Sequence, residues 1–204
     1  MKYFSVIILF ILFSCGNKEA VLLPKSNVTV VGDVVDHSPI YIFFRTKGKD
    51  TLAEVNKKNE IISTNWIFNI DKRLPLRLVI PEVIKLQEKK RSEVAHKNEL
   101  AENYYSYADS IGKNLAFLPF TKVVYKMKKP MFSFVVFFDK HNEIFVDGTS
   151  GSREELKQLL NNLPKDKLKK IRFRFDPNMS FGNYIQNEIL IQSLKIQNRE
   201  EFIF

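Results

Sequence analysis

The amino-acid sequence predicts an α/β (α+β) fold, in which helices pack on a mixed β-sheet. Apolar runs of strand length alternate with stretches of helical periodicity, which is the pattern of this fold class. Turn-forming pairs such as Asp147-Gly148 and Asp176-Pro177 separate these runs. The 204 residues include 18 phenylalanines but only 7 glycines and 8 prolines, which indicates a packed chain.

The first residues predict export and lipidation. An apolar run, residues 3–13, is too short to span a bilayer permanently and has the length of a secretion-signal core. It ends in LFSC, residues 12–15, which resembles the bacterial lipobox, and Cys15 is the only cysteine. We therefore expect residues 1–14 to be a lipoprotein signal peptide and residues 15–27 to be a tether lipidated at Cys15. An ordinary signal peptide with an incidental cysteine is the alternative.

The residue after the cysteine bears on location. Gly16 stands there in place of an aspartate, and this resembles lipoproteins that are sorted to the outer membrane. We therefore expect an outer-membrane lipoprotein that faces the periplasm. The net charge of +9 favours anionic partners. Because nucleic acid is not expected outside the cell, these partners are anionic lipid, wall polymers or acidic protein surfaces.

Residues 28–120 are predicted to form a β-rich and then helical region. The expected strands are residues 28–35, 40–45, 51–55 and 66–70. From Leu76 an apolar stripe of helical spacing begins, and we expect helical, polar structure to about residue 118. The region also contains aromatic residues that are candidates for stacking on sugars or anchoring an interface. These are Trp66, Tyr104, Tyr105 and Tyr107. Packing of Tyr104 with Ala108 and Ile111 on one helical face is the alternative.

Residues 121–204 are predicted to form an α/β domain with two helices packed on a mixed sheet. The expected strands are residues 123–125, 132–138, 143–146, 171–175 and 201–204, and the continuous apolar run of the second predicts burial on both faces. The first helix is expected to begin at a capping box formed by Ser152 and Glu155 and to end before Pro164. The second is expected to begin beside Ser180, which can act as its cap.

Several short motifs in this domain occur in an order that is typical of one known protein family. A hairpin pattern at residues 134–146 is followed by the first helix start at residues 152–155. FRFD, residues 173–176, then precedes MSFG, residues 179–182, at the second helix start. This order, over about residues 131–204, resembles the periplasmic domain of the ExbD/TolR biopolymer-transport family.

The family resemblance implies a docking domain, often dimeric, that contacts partner proteins or, in the TolR branch, peptidoglycan. Family members carry an N-terminal membrane helix with an acidic residue that takes part in proton flow. A lipid anchor stands in its place here, so the resemblance does not imply a proton-coupled subunit.

The N-terminal region resembles the C-terminal domain, which raises the hypothesis of a degenerate repeat. Residues 66–71 align with residues 171–176, and Leu76, which opens the first stripe, then aligns with Phe181 at the same offset. Residues 40–44 likewise align with residues 134–138, and the extra helix at residues 152–163 accounts for the difference in offset. A chance match is the alternative, and Pro81 inside the first helix argues against the repeat.

Candidate sites are few. Asp176 before Pro177 is expected to bond its own backbone in a turn, with Ser180 and Gly182 starting the next helix; a carboxylate presented at the sheet edge is the alternative. Two polar groups have the composition of metal sites, but turns need the same residue types, so no metal or other cofactor is expected. The groups are Asp139, His141 and Glu143, and Asp33, Asp36 and His37. His96 has no evident partner.

Enzymatic chemistry finds little support in the sequence. It contains no nucleophile motif, phosphate-binding glycine loop or paired cysteines, so we expect no catalytic residues. A carboxylate pair for glycoside cleavage stays open, since such residues need not be close in the chain.

Basic residues form three clusters. The first is Lys89, Lys90 and Arg91, and the second is Lys122, Lys126, Lys128 and Lys129. The third, which we predict to bind the partner, is Lys165, Lys167, Lys169, Lys170, Arg172 and Arg174. A solvated surface that discourages edge-to-edge aggregation is the alternative.

We therefore expect a lipid-anchored, non-enzymatic docking module of the cell envelope, bound to an envelope protein or to peptidoglycan. A homodimer is one hypothesis for its oligomeric state. The alternative function is an envelope ligand-binding protein or hydrolase with a pocket in the N-terminal half.

Overall fold

The computed structural model describes residues 20–56, 58–95, 97–131, 134–164, 168, 171–194, 196 and 199–204. These residues form three helices and two mixed sheets, which confirms the predicted α/β class. The predicted signal peptide (residues 1–14), Cys15, His96 and the lysines Lys165, Lys167, Lys169 and Lys170 lie outside the described residues. No helix in the described part of the chain has the length and apolar character needed to cross a membrane.

The first sheet contains six strands in the order β3-β2-β4-β5-β6, with β1 beside the end of β5. Their bounds are β1 Lys25–Ser26, β2 His37–Lys47, β3 Asp50–Asn56, β4 Asn65–Ile70, β5 Asn103–Asp109 and β6 Asn114–Pro119. Strands β2, β4 and β5 run parallel, while β3 and β6 are antiparallel additions. The helix α1, Leu76–Ser92, connects β4 to β5.

The second sheet contains six strands in the order β10-β9-β8-β11-β12-β7. Their bounds are β7 Val124–Lys126, β8 Val135–Phe138, β9 Ile144–Val146, β10 Thr149–Gly151, β11 Arg172–Phe175 and β12 Glu200–Ile203. Strands β8, β11, β12 and β7 are parallel neighbours. The helix α2, Arg153–Asn162, precedes β11, and α3, Phe181–Ser193, connects β11 to β12.

Two predictions for the N-terminal region are wrong. Residues 28–35 form no strand: Val31 makes one isolated bridge to Phe117, and Val34 packs on the sheet as an irregular segment. The helix ends at Ser92, and the antiparallel pair β5 and β6 follows where helical structure was expected. Alternating aromatic residues favour a strand there, because Tyr105 and Tyr107 enter the core while Tyr104 lies on the other side.

The C-terminal domain contains its predicted helices and one extra strand. Ser152 Oγ accepts from Glu155 N and the Glu155 carboxylate accepts from Ser152 N, which completes the capping box. Ser180 Oγ accepts from Asn183 N at the start of α3. The chain after Asp147-Gly148 continues as β10, which was not expected. Strand β8 is buried on only one face, since Val135 and Phe137 are half-exposed.

Two units of the same topology lie within the chain. We call β2-β3-β4-α1-β5 the first unit and β8-β9-β11-α3-β12, with β10 and α2 inserted, the second unit. Asp71 N donates to Ile42 O, and Asp176 N donates to Phe138 O, so each β-α-β crossover has the same register. Residues 66–71 therefore correspond to residues 171–176 as aligned. For the preceding strand, however, Ile42 corresponds to Phe138, two residues away from the expected match.

The two units interlock at the starts of α1 and α3 by four main-chain hydrogen bonds. Leu76 N donates to Met179 O and Phe181 N donates to Leu74 O, at 3.0 and 2.8 Å. Arg77 N donates to Pro177 O and Gly182 N donates to Lys72 O, at 2.8 and 2.9 Å. These bonds are reciprocal between corresponding residues, so an approximate two-fold relation holds locally. One continuous hydrophobic core contains residues of both units.

Candidate functional site

The most distinctive surface of the described chain is the side of the second sheet that faces away from α3. Phe173 and Phe175 of β11 enter the core on one side, while Arg172 and Arg174 project from the other. We call this second side the outer face. Its members are partly exposed aromatic, aliphatic and basic side chains, whereas the inner side is buried against α3. The residues of the outer face include Val135, Phe137, Phe145, Arg172, Arg174 and Phe204.

Arg174 is held between two aromatic rings on this outer face. Its guanidinium carbon lies 4.2 Å from the ring centre of Phe137 and 4.0 Å from that of Phe204. Contact with these two rings restricts the orientation of the cation. Nε has no hydrogen-bond partner among the described residues, and Nη2 reaches only the main-chain oxygen of Phe204, at 3.5 Å. The guanidinium therefore has donor capacity that the described protein does not use.

A cavity of about 330 Å³ adjoins this clamped arginine. It is lined by Lys129, Pro130, Val135, Phe137, Phe145, Asp147, Gly148, Arg174 and Phe204. Phe137 and Phe145 stack with their ring centres 5.9 Å apart and supply apolar wall. Burial lowers the pKa of Arg174, and Asp176 opposes this effect, but an arginine stays charged at any physiological pH. The cavity thus combines a partly desolvated cation with aromatic surface.

The side of the first sheet that corresponds to the outer face is built differently. Val34, from the segment before β2, packs on Ile67 and Phe117 and covers that part of the first sheet. The position of Arg174 is taken by Asn69, whose side chain bonds within its own sheet to Ile67 O and Ser106 Oγ. The outer side of the first unit is therefore partly covered, and its Asn69 side chain is hydrogen-bonded, whereas the second unit has an arginine beside a cavity.

Arg172, the other described member of the predicted basic cluster, is already engaged. Its Nε lies 3.4 Å from Glu200 Oε2, and Lys126 Nζ lies 4.0 Å from Glu200 Oε1. All three side chains are about one-third exposed, and such surface pairs contribute little to stability. They leave this part of the outer face with an excess of positive charge.

The predicted turn residues form the scaffold beneath the outer face. Asp176 Oδ1 accepts from Asn178 N at 2.7 Å, so its carboxylate is used in its own turn. Pro177 O and Gly182 N belong to the interlocking bonds between the units. A side-chain carbon at Gly182 would lie 3.3 Å from Lys72 Cβ, so glycine permits this close approach.

In the two polar groups with metal-site composition, Asp139 serves a turn and His37 makes a local bond. Asp139 Oδ1 accepts from the main-chain nitrogens of His141 and Glu143, and His37 Nδ1 contacts Val34 O at 2.7 Å. Among the described residues, no group of three or more His, Cys, Asp or Glu side chains is placed to hold a metal ion.

The aromatic candidates are largely internal, and so is Lys90 of the basic cluster on α1, whereas Lys89 and Arg91 are exposed. Trp66, Tyr105 and Tyr107 are fully buried, and Tyr104 packs partly against Val34, Ile67 and Phe117. The Lys90 ammonium bonds Thr64 O at 2.9 Å and Asn103 Oδ1 at 3.1 Å and lies 4.9 Å from the Trp66 ring centre. Burial lowers the pKa of Lys90 to about 8. It is therefore an internal structural cation.

A buried charged network in the second unit was not predicted. Arg199 donates from Nε to Glu201 Oε1 at 2.7 Å and from Nη2 to Glu188 Oε2, and all three residues are buried. Tyr184 donates to Glu201 Oε2 at 2.7 Å, and hydroxyl contacts continue to Tyr125 and Tyr105. Burial raises the pKa of Glu188 well above its ordinary value, while Arg199 opposes the shift. The sequence signal was an acidic residue at a core-facing position of α3.

A cleft of about 750 Å³ lies between residues 25–30 and the helices α2 and α3. The alternative function placed a pocket in the N-terminal half, whereas this cleft is shared between the two halves. Its lining is mainly amide, hydroxyl and aliphatic, with Lys25, Arg153 and Lys157 as cations. Glu154 is the one carboxylate among the residues that line it, so the lining does not present a pair of carboxylates for hydrolysis.

No protein-family model, curated protein or solved structure matches the chain. The resemblance to the ExbD/TolR domain therefore stays a prediction from the motifs of residues 131–204.

Proposed function

We propose that this protein is a lipid-anchored, non-enzymatic docking module of the cell envelope, whose ExbD/TolR-like second unit binds an acidic segment of an envelope protein on its outer face. The observation that carries the proposal is Arg174, clamped between Phe137 and Phe204 beside an open cavity. On the corresponding face of the first unit, Val34 covers Ile67 and Phe117, and Asn69 takes the place of the arginine.

The clamp suits recognition of a carboxylate. A guanidinium whose orientation is restricted by two rings presents its N–H groups in one direction, and paired N–H groups match the two oxygens of a carboxylate. Partial burial strengthens such an interaction relative to bulk water. The rings of Phe137 and Phe145 offer apolar contact to the neighbouring residues of a bound segment. An aspartate or glutamate beside an apolar side chain is therefore the expected anchor of the partner.

The charges around the cavity favour an acidic partner. Lys129 and Arg174 line it together with one acid, Asp147, and Arg172 and Lys126 lie on the same sheet. In sequence, Lys165, Lys167, Lys169 and Lys170 directly precede β11. An excess of positive charge speeds association with an acidic surface and makes that association dependent on salt.

The lipid anchor would keep this surface near a membrane. Leu22 is fixed to the fold, since Lys72 N donates to Leu22 O at 2.8 Å and Leu22 N donates to the Asp71 carboxylate. Cys15 precedes Leu22 by seven residues, a reach of roughly 25 Å when extended. A lipid on Cys15 would thus hold the folded part within about one domain diameter of the bilayer.

Site-specific photo-crosslinking in cells tests the proposal. A photoreactive phenylalanine analogue at position 137 should crosslink an acidic envelope protein, and Arg174→Ala should abolish most of that product. Arg174→Lys should retain less than half of it, because lysine keeps the charge but loses the planar pair of donors. Cys15→Ala should release the protein from the membrane fraction and also remove the product.

The matched control is the same analogue at Tyr41, which corresponds to Phe137 on the first unit. It should give no such product. Equal products from both positions, or a product indifferent to Arg174→Ala, would contradict the proposal. Products that sediment with the cell wall and are released by its digestion would identify peptidoglycan as the partner instead.

A further inference from the structure

The chain contains a long stretch without any acidic residue. Between Asp109 and Asp139 the sequence has no aspartate or glutamate. The same stretch contains five lysines, which are Lys113, Lys122, Lys126, Lys128 and Lys129. Four of these fall within residues 122–131, on and immediately beside the edge strand β7.

The structure places these lysines among exposed apolar side chains. Val123 and Tyr125 enter the core, while Val124 points outward with 38% of its surface exposed. Met127 and Met131, in the connection that leaves β7, are 45% and 84% exposed. Lys122, Lys128 and Lys129 are also exposed. We call residues 122–131 the lysine–methionine edge; it alternates cations with flexible apolar side chains along the border of the second sheet.

We propose that the lysine–methionine edge rests on an anionic bilayer surface. Each lysine near such a surface favours the bound state about fivefold. Long lysine stems lie along apolar surface while their ammonium groups stay in water. Exposed methionines between them fit the boundary between headgroups and acyl chains. The mixture of cations and apolar groups thus matches the layered chemistry of a lipid headgroup region.

A protein partner fits this edge less well. The cores of protein interfaces are depleted in lysine and present contiguous apolar surface. Here four lysines interrupt three exposed apolar residues within ten positions of the chain. Lys126 has an acidic neighbour, Glu200 at 4.0 Å, whereas the stretch itself supplies no acid. Residues 122–131 therefore carry an excess of positive charge of their own.

The proposed anchor and the edge can reach one bilayer together. Leu22 lies at the end of β4, where its main-chain oxygen accepts from Lys72 N. The segment that enters β7 lies near the start of β5, where Asn103 N donates to Thr121 Oγ1 and the Tyr105 hydroxyl contacts that of Tyr125. The seven residues of β5 span roughly 20 Å, which is less than the reach of the tether. Lys129 also lines the Arg174 cavity, so the partner segment would bind close to the membrane surface. The contact with lipid does not depend on that partner.

Fluorescence of the full-length, lipidated protein in vesicles tests the inference. Because Cys15 is the only cysteine and would be lipidated, Met131→Cys provides a unique thiol for an environment-sensitive dye. In vesicles of equal parts phosphatidylglycerol and phosphatidylcholine, its emission should shift to the blue and be quenched by brominated acyl chains. Both effects should be weak in pure phosphatidylcholine. Lys140→Cys, exposed on the turn between β8 and β9, is the control and should show neither effect.

Lysine variants separate lipid binding from a change in fold. Replacing Lys122, Lys128 and Lys129 by glutamine should lower the ratio of edge-bound to edge-free protein about fivefold per lysine. Lys113→Gln, on a different turn, should leave it unchanged. A dye at position 131 that behaves like the one at position 140 would overturn the inference. So would equal responses in both kinds of vesicle, or a response that requires added envelope protein. None of these outcomes bears on Arg174, whose test uses a partner and not pure lipid.

Discussion

Asp71 and Asp176 hold corresponding turns in the two units. Asp71 Oδ1 accepts from Arg73 N at 3.1 Å, and Asp176 Oδ1 accepts from Asn178 N at 2.7 Å. Asp71 is also buried and paired with Arg73; burial acts to raise its pKa, but hydrogen bonds from Arg73 and Leu22 outweigh this and lower it. Each aspartate thereby fixes the path from a central strand into a helix. This role explains why a turn without catalytic features is so well formed.

Gly182 gives a prediction at the scale of one residue. A Cβ atom at position 182 would face Lys72 across the interlocked turns. It would lie 3.3 Å from the Cβ and 3.4 Å from the main-chain oxygen of Lys72. Gly182→Val should therefore push the turns apart and lower the free energy of unfolding by about 1–3 kcal/mol. Urea denaturation measures this loss.

Arg77, which corresponds to Gly182 in the first unit, provides the control. Its side chain is exposed and reaches Asn178 Oδ1 at 3.1 Å. Arg77→Ala should change the free energy of unfolding by no more than about 0.5 kcal/mol. Equal losses from both substitutions would mean that the close approach at Lys72 is not what constrains Gly182.

At the scale of elements, the buried network joins α3 to β12 in the second unit only. Glu188 lies on α3 where α1 has Val83, and Glu201 lies on β12 where β5 has Tyr105. Two carboxylates share the one guanidinium of Arg199. Removing that cation would leave both acids buried, so Arg199→Met should be far more destabilising than loss of either acid.

The network predicts a falling stability at higher pH. The pKa of Glu188 is raised by burial, so folding favours its protonated form. Its contribution is fully present below the ordinary glutamate pKa of about 4.3 and is lost as pH rises towards the raised value. Glu188→Gln keeps the shape and removes the titration, so the free energy of unfolding of this variant should fall less with pH than that of the parent protein.

Urea denaturation over a series of pH values checks this. Glu99→Gln is the control, since the Glu99 side chain is 79% exposed, and it should follow the parent curve. If Glu188→Gln also followed the parent curve, proton uptake on folding would have to belong to another group.

Elements with strong local patterns could be predicted from the sequence. The capping box at Ser152, the cap at Ser180 and the alternation in β11 are local, and all three are present. Residues 28–35 read as a strand because they are apolar, but no neighbouring strand offers them a ladder. Asn103–Asp109 read as a helix because its tyrosines also fit helical spacing. Tertiary pairing decides both cases.

The residues of the candidate site likewise include some that the sequence predicts and some that it does not. Arg172 and Arg174 could be found from their charge and their alternation with Phe173 and Phe175. The rings of Phe137 and Phe204 could not, because their approach to Arg174 depends on the parallel register of β8, β11 and β12. The same holds for Arg199 and Glu188, because Arg199 directly precedes β12 whereas Glu188 lies on α3. The spacing of residues within one segment does not determine which residues meet across strands.

At the scale of the whole molecule, the two units share one core. Tyr105 of the first unit packs against Phe181 and Tyr184 of the second, with ring centres 5.3 and 6.1 Å apart. The four reciprocal main-chain bonds join the units at the starts of α1 and α3. Opening either unit would expose aromatic surface and unpaired backbone groups of the other. We therefore expect the units to unfold together.

A substitution in one unit, observed from the other, tests this coupling. Trp66 is the only tryptophan and is buried in the first unit, so its fluorescence reports that unit. Phe175 lies in the core of the second unit, with ring centres of Phe138 and Tyr184 at 5.1 and 5.0 Å. Phe175→Ala should cost about 3–5 kcal/mol. Because the units share their core, the denaturation midpoint seen by Trp66 should fall together with that seen by far-ultraviolet circular dichroism. A Trp66 midpoint that stays at the parent value would show that the first unit is stable without the second.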